Sequence, residues 1–117
     1  MTISEVFSEV DELKPNQYDD AIKIKWLNEL EGRILKEIFQ VNDFKPYELS
    51  DDFNTELTAE EPYSNIYKLH IMLMIDYTNA EFTRYAQSLA MFNQAYMEYA
   101  NYMNRTLHKK KNHFKVF

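Results

Sequence analysis

Three histidines, two acids with an asparagine between them and one isolated aspartate are the side chains of this chain that come closest to chemistry. His70, His108 and His113 are the imidazoles, but neither His-Glu-x-x-His nor Glu-x-x-His spacing occurs, so helix-borne zinc or di-iron sites lack their ligand pattern. His108 and His113 stand among lysines that repel a cation, and His70 reads as a helix-surface residue beside the core. Asp52, Asn54 and Glu56 begin like a calcium loop. However, the turn position that needs glycine is Leu57, and the twelfth position is Tyr63 rather than glutamate. Asp76 interrupts the apolar run Ile71–Ile75 and reads as a buried carboxylate held by Arg84 or a tyrosine hydroxyl. General acid/base work with Glu81 lacks a nucleophile or metal ligand beside it. No serine sits in a nucleophile elbow, and aromatic and basic residues do not interleave as in single-strand nucleic-acid binders. The expectation is a protein that is not an enzyme, with no catalytic, metal or cofactor residues.

Composition narrows the classes further. Among 117 residues there is one glycine, Gly32, and no cysteine. Phosphate-cradling loops need glycine for tight turns and close backbone approach, so a P-loop or dinucleotide fingerprint has no material here. Disulfides, thiolate nucleophiles and cysteine-based zinc sites are absent with the cysteine. The opening residues MTISEVFSEVDEL are acidic and amphipathic, unlike a signal peptide, and no apolar run approaches the ~20 residues of a membrane span. We therefore expect a soluble protein with no membrane partner. The net charge of −6 hides a split: residues 1–104 hold 8 basic and 19 acidic side chains, whereas residues 105–117 hold five basic ones and no acid. An acidic body argues against wrapping DNA, because phosphate contacts dominate that affinity. The basic tail can touch DNA or the acidic body of a neighbouring subunit.

These residues are positioned by helices. Thr2 and Glu5 make a capping box before Ile3, Val6, Phe7, Val10 and Leu13, which predicts a helix over 3–13. Pro15 ends it. A second helix over 19–39, capped by Asp19 or Asp20, carries the stripe Ile22, Trp26, Leu27, Leu30, Ile34, Ile38 and Phe39, with Lys23, Lys25, Arg33 and Lys36 outside. Gly32 within it marks a close crossing with another helix. Residues 40–62, with two prolines and seven acids, form a long irregular arm whose large apolars anchor on the core or on a partner. Beyond Pro62 there is neither proline nor glycine, and eleven positions from Tyr67 to Met103 keep a mean step of 3.6 residues, the period of a straight helix. One helix of that length is improbable, and the weak points are Thr78-Asn79-Ala80 and Ala86-Gln87-Ser88. Ser88 can act as a new N-cap, which favours helices over 64–86 and 88–106, with Ser64 capping the first. The result is an all-α single domain over 1–107, a small bundle of about four helices with arm 40–62, followed by a basic C-terminal tail over 108–117. The alternation of Phe114, Lys115, Val116 and Phe117 leaves two expectations open, an added strand on another subunit's edge or a disordered end.

Two segments carry a family likeness. One runs Leu13-Lys14-Pro15-Asn16 through Trp26-Leu27-Asn28-Glu29-Leu30-Glu31-Gly32-Arg33-Ile34. The other comprises Pro62-Tyr63, Met74-Ile75-Asp76-Tyr77-Thr78-Asn79-Ala80-Glu81, Arg84-Tyr85, Met91-Phe92-Asn93 and Tyr102-Met103-Asn104-Arg105-Thr106. Together they resemble the head–tail connector (adaptor) proteins of tailed bacteriophages and prophages of Gram-positive bacteria. The likeness covers roughly residues 1–107 and rests on spacing and short strings, none catalytic; the acidic arm and the basic tail do not share it. It implies an all-α virion structural protein, made in the bacterial host cytoplasm and placed in the virion neck. Its partners would be further copies of itself in a ring of about a dozen, the portal protein, and a stopper or tail-completion protein. DNA would pass through the channel without sequence-specific binding. For Asp76, Arg84, Asn104 and Arg105 it implies structural or interface roles. The candidate interaction residues are Phe44, Tyr47 and Phe53 on the arm, and Arg105, Lys109, Lys110, Lys111, Phe114, Lys115 and Phe117 at the basic end. The alternative is a small helical regulatory or DNA-binding module reading DNA through Lys23, Lys25, Arg33 and Lys36.

Overall fold

Each of the first two helices starts where a side chain takes up its free N–H groups. In the computed structural model, which describes the backbone of residues 1–115 and the side chains of residues 1–107, Thr2 caps α1 (Ile3–Leu13). The Glu5 N–H donates to the Thr2 hydroxyl and the Thr2 N–H donates to the Glu5 carboxylate, completing the expected capping box. Asp19 caps α2 (Asp20–Glu37) by accepting from the Ile22 N–H. Ser64 does not cap α3 (Asn65–Thr78); it is buried and its hydroxyl donates to Glu61 instead. The fourth helix, α4, runs from Phe82 to Lys115, so the backbone of Phe114 and Lys115 is helical rather than an added strand. The fold is all-α, as expected, and its β content among the described residues is one isolated bridge, Thr2 with Glu56.

The chain reverses at residues 79–81, not at 86–88. The Ala80 N–H donates to the Tyr77 carbonyl and the Glu81 N–H to the Asp76 carbonyl, with Ala80 at φ 58°. That is the Schellman arrangement, in which a left-handed residue closes a helix and frees the chain to turn back. Ser88 lies inside α4 and donates to Asp76. The rhythm of 3.6 survives the break because the first part of α4 packs back on α3, each turning an apolar face to its partner.

α3 is the central helix, with α1, α2 and α4 all packed on it. Its Ile66, Tyr67, Ile71 and Ile75 are fully enclosed, together with Val6 and Val10 from α1 and Leu27, Leu30 and Ile34 from α2. The expected α2 stripe is buried at Trp26, Leu27, Leu30, Ile34 and Ile38, but Ile24 takes a core place while Ile22 is 38% exposed, and Lys23, expected outside, is buried against Asp11 at 2.6 Å. Leu13, and Phe82 as one of the eleven periodic positions between Tyr67 and Met103, are exposed, because each lies at a helix end with no neighbour to cover it.

The arm is ordered along the body. Its residues 53–57 run beside the start of the chain, where the Ser4 N–H donates to the Phe53 carbonyl and the Leu57 N–H to the Met1 carbonyl. Gly32 meets this arm rather than a helix: a methyl group there would stand 3.3 Å from the Phe44 ring.

Candidate functional site

A buried carboxylate organises the arm. Glu31 is fully enclosed and takes hydrogen bonds from the Tyr47 hydroxyl (3.0 Å), the Thr58 N–H (3.2 Å) and the Tyr67 hydroxyl (2.7 Å). The Tyr67 hydroxyl in turn accepts from the Ala59 N–H at 2.8 Å. One turn earlier on α2, Asn28 pairs with both backbone groups of Tyr47. Burial first and Glu31 second hold the Tyr47 and Tyr67 phenols well above the usual tyrosine range, so both remain donors. A carboxylate in the interior is tolerable only when its lone pairs are met, and here three donors from the arm and α3 meet them.

Asp76, the other buried acid, is held by Lys14 at 2.6 Å and by the Ser88 hydroxyl at 2.6 Å. Of the expected partners, Arg84 pairs with Glu81 instead, and the hydroxyl that reaches Asp76 is that of Ser88 rather than of a tyrosine. Asp76 therefore ties the end of α1 and the second turn of α4 to α3. His70 is half-buried, tilted against Phe92, and its Nε2–H donates to the Trp26 carbonyl at 2.9 Å. Burial, helped by the nearby Arg33 charge, lowers its pKa to about 4, so the ring is neutral at physiological pH.

Where the arm rejoins the helices it forms one wall of an aromatic cleft of about 320 Å³. Tyr63 stacks on Tyr102 with ring centroids 5.0 Å apart and tilts against Tyr99 at 5.6 Å. Phe39 and Met103 complete the apolar lining, while Glu60 and Glu61 stand exposed at its edge. Burial, then the charges of Glu31 and Glu60, push the Tyr99 phenol up to about 12. A neighbouring hollow is lined by Glu5, Glu56, Glu60 and Glu61, so one end of the molecule gathers carboxylates.

No protein-family model, curated protein or solved structure matches this chain.

The candidate residues fall into two groups. Phe44, Tyr47 and Phe53 serve the protein's own core: Phe44 covers Gly32 and meets the edge of Tyr47, and Phe53 packs edge-on to Phe7 at 5.7 Å. Arg105 is exposed on α4. Lys109, Lys110, Lys111, Phe114 and Lys115 continue the α4 backbone, their side chains lying outside the described residues, as does Phe117 altogether. Of the basic set on α2, Lys23 is buried and Arg33 is paired with Glu37 over the Tyr96 ring at 4.1 Å, leaving Lys25 and Lys36 exposed. Among the described residues no three His, Asp or Glu side chains gather as metal ligands, and no helix is long and apolar enough to cross a membrane.

Sequence reasoning missed Glu31 and the cleft. Glu31 carried a signal, since it stands four residues after Leu27 and three before Ile34, on the stripe that must be buried. The cleft carried none, because it joins residues about 40 positions apart through the arm's path.

Proposed function

We propose that this protein is a virion structural component of a tailed phage or prophage, a head–tail connector that acts by assembly between portal and tail-completion proteins. The reading rests on the two segments that resemble that family. The observation that carries its physical side is α4: this 34-residue helix packs chiefly on α3 and leaves a long flank uncovered, with Met91 and Met97 each about 60% exposed. Between Arg84 and Glu98 the helix has no charged residue. An exposed helix without charges is suited to lie against another protein surface, where charged groups are costly to desolvate. The acidic body suits a channel through which DNA must slide rather than adhere.

The experiment is to delete the gene in a host that produces particles and inspect the lysate by electron microscopy. Filled heads without tails, with the protein found by mass spectrometry in complete wild-type virions, is the expected result. Complete virions lacking the protein would end the proposal.

A further inference from the structure

We propose that the cleft between the arm and α4 takes basic side chains from the Lys109–Lys111 run on α4 of a second copy. This rests on the assembly reading above and names the contact by which copies join.

The cleft has the chemistry of a cation receptor. Tyr63, Tyr99, Tyr102 and Phe39 line it, together with the exposed carboxylates of Glu60 and Glu61. An ammonium or guanidinium group is drawn to aromatic faces by their quadrupole, its alkyl stem packs on the same rings, and carboxylates at the rim supply the opposite charge. Among the described residues, the side chains lining the cleft include no lysine, arginine or histidine. The same arrangement is already filled once within the molecule, where the Arg33 guanidinium lies 4.1 Å above the Tyr96 ring and its Nε–H donates to Glu37 at 2.9 Å.

The complementary partner is encoded in the chain itself. Residues 105–117 hold five basic side chains and no acid, against the surplus of acids in residues 1–104. Because Tyr102 and Lys109 share one continuous helix, the backbone carries the lysine run about 10 Å beyond the cleft along the helix axis and away from it. A second copy can bring that run to the cleft from outside. Donor segment and acceptor cleft are different surfaces, so the contact is head-to-tail and propagates into a closed ring or an open filament.

The test is sedimentation velocity on the full chain at low salt with two charge reversals, E60K/E61K and K109E/K110E/K111E. Wild type should associate with rising concentration, and each variant should associate roughly tenfold or more weakly. An equimolar mixture of the two variants should recover association, because each supplies the surface that the other has lost. Association that persists in both variants, or that fails to return on mixing, would overturn the cleft contact while leaving the connector reading to the virion experiment. A monomeric wild type at high concentration would overturn it as well. So would an E60K/E61K variant that changes thermal stability without changing sedimentation, since the lysines would then serve their own chain.

Discussion

Tyr67 shows how much of the structure can depend on one hydroxyl group. Its oxygen donates to Glu31 and accepts from the Ala59 N–H in a fully buried position. Tyr67→Phe leaves an enclosed N–H and a carboxylate oxygen each one partner short, which should cost about 2–4 kcal/mol in urea unfolding. Tyr47→Phe, at a half-exposed position with one bond lost, should cost about 1 kcal/mol. Equal losses would mean that Glu31 is not held as described. His70 makes a pH-dependent counterpart. Its folded pKa of about 4 lies below the unfolded value near 6.5, so the unfolded chain binds the extra proton first as pH falls. The contribution is complete above about pH 6.5 and is lost progressively toward pH 4, by about 3 kcal/mol at most. His70→Gln should flatten that part of the stability profile, as read from thermal unfolding at a series of pH values. At this scale the sequence was half legible. The capping residues Thr2 and Asp19 act through neighbours three positions away and could be read directly. The partners of Asp76 could not, because Lys14 is 62 residues distant and meets it only when α1 crosses α3.

Among the elements, the α3–α4 turn departs most from expectation. The periodic spacing identified the residues that pack, but periodicity reports a face and is blind to a reversal that keeps both faces in contact. The stop signal that would have located the turn is a glycine in the left-handed position, and the chain places alanine there. Alanine pays a steric penalty of roughly 1–2 kcal/mol at such a φ. Ala80→Gly should therefore stabilise the fold by about 0.5–1 kcal/mol, the relief being partly offset by the freedom that glycine adds to the unfolded chain. A measured loss in denaturant unfolding would show that Ala80 does not hold the left-handed geometry. The chain's one glycine lies on α2 under Phe44, where what it provides is space rather than a special φ. Its meaning was misread for a physical reason: a missing side chain announces close approach without saying whether a helix or an arm approaches. The arm itself could be recognised as irregular from its prolines and acids. That it folds onto its own body depends on Glu31 and Asn28, whose neighbours the spacing cannot name.

The whole molecule measures 56 × 34 × 22 Å, and α4, at about 50 Å for its 34 residues, is nearly as long as the longest dimension. A monomer gains little from so long a helix packed chiefly on one neighbour, because most helical stability comes from burying an apolar face. The described core already closes at Phe92, Tyr96 and Tyr99, with Met103 at its edge. What remains on the outer flank, Met91 and Met97 among uncharged neighbours, adds nothing to that core and is free to serve a surface beyond the chain. Replacing both methionines by lysine keeps helix propensity nearly constant and leaves no cavity, so thermal unfolding should move by no more than about 0.5 kcal/mol per site. If the flank is buried in the assembled neck, the same pair of lysines must be desolvated there, and the yield of tailed particles in a complementation assay should fall by at least about tenfold. Normal particle yield from a stably folded Met91→Lys/Met97→Lys protein would place the assembly surface elsewhere, on the arm end and its cleft. Unfolding of the variant would instead show that these side chains belong to the core.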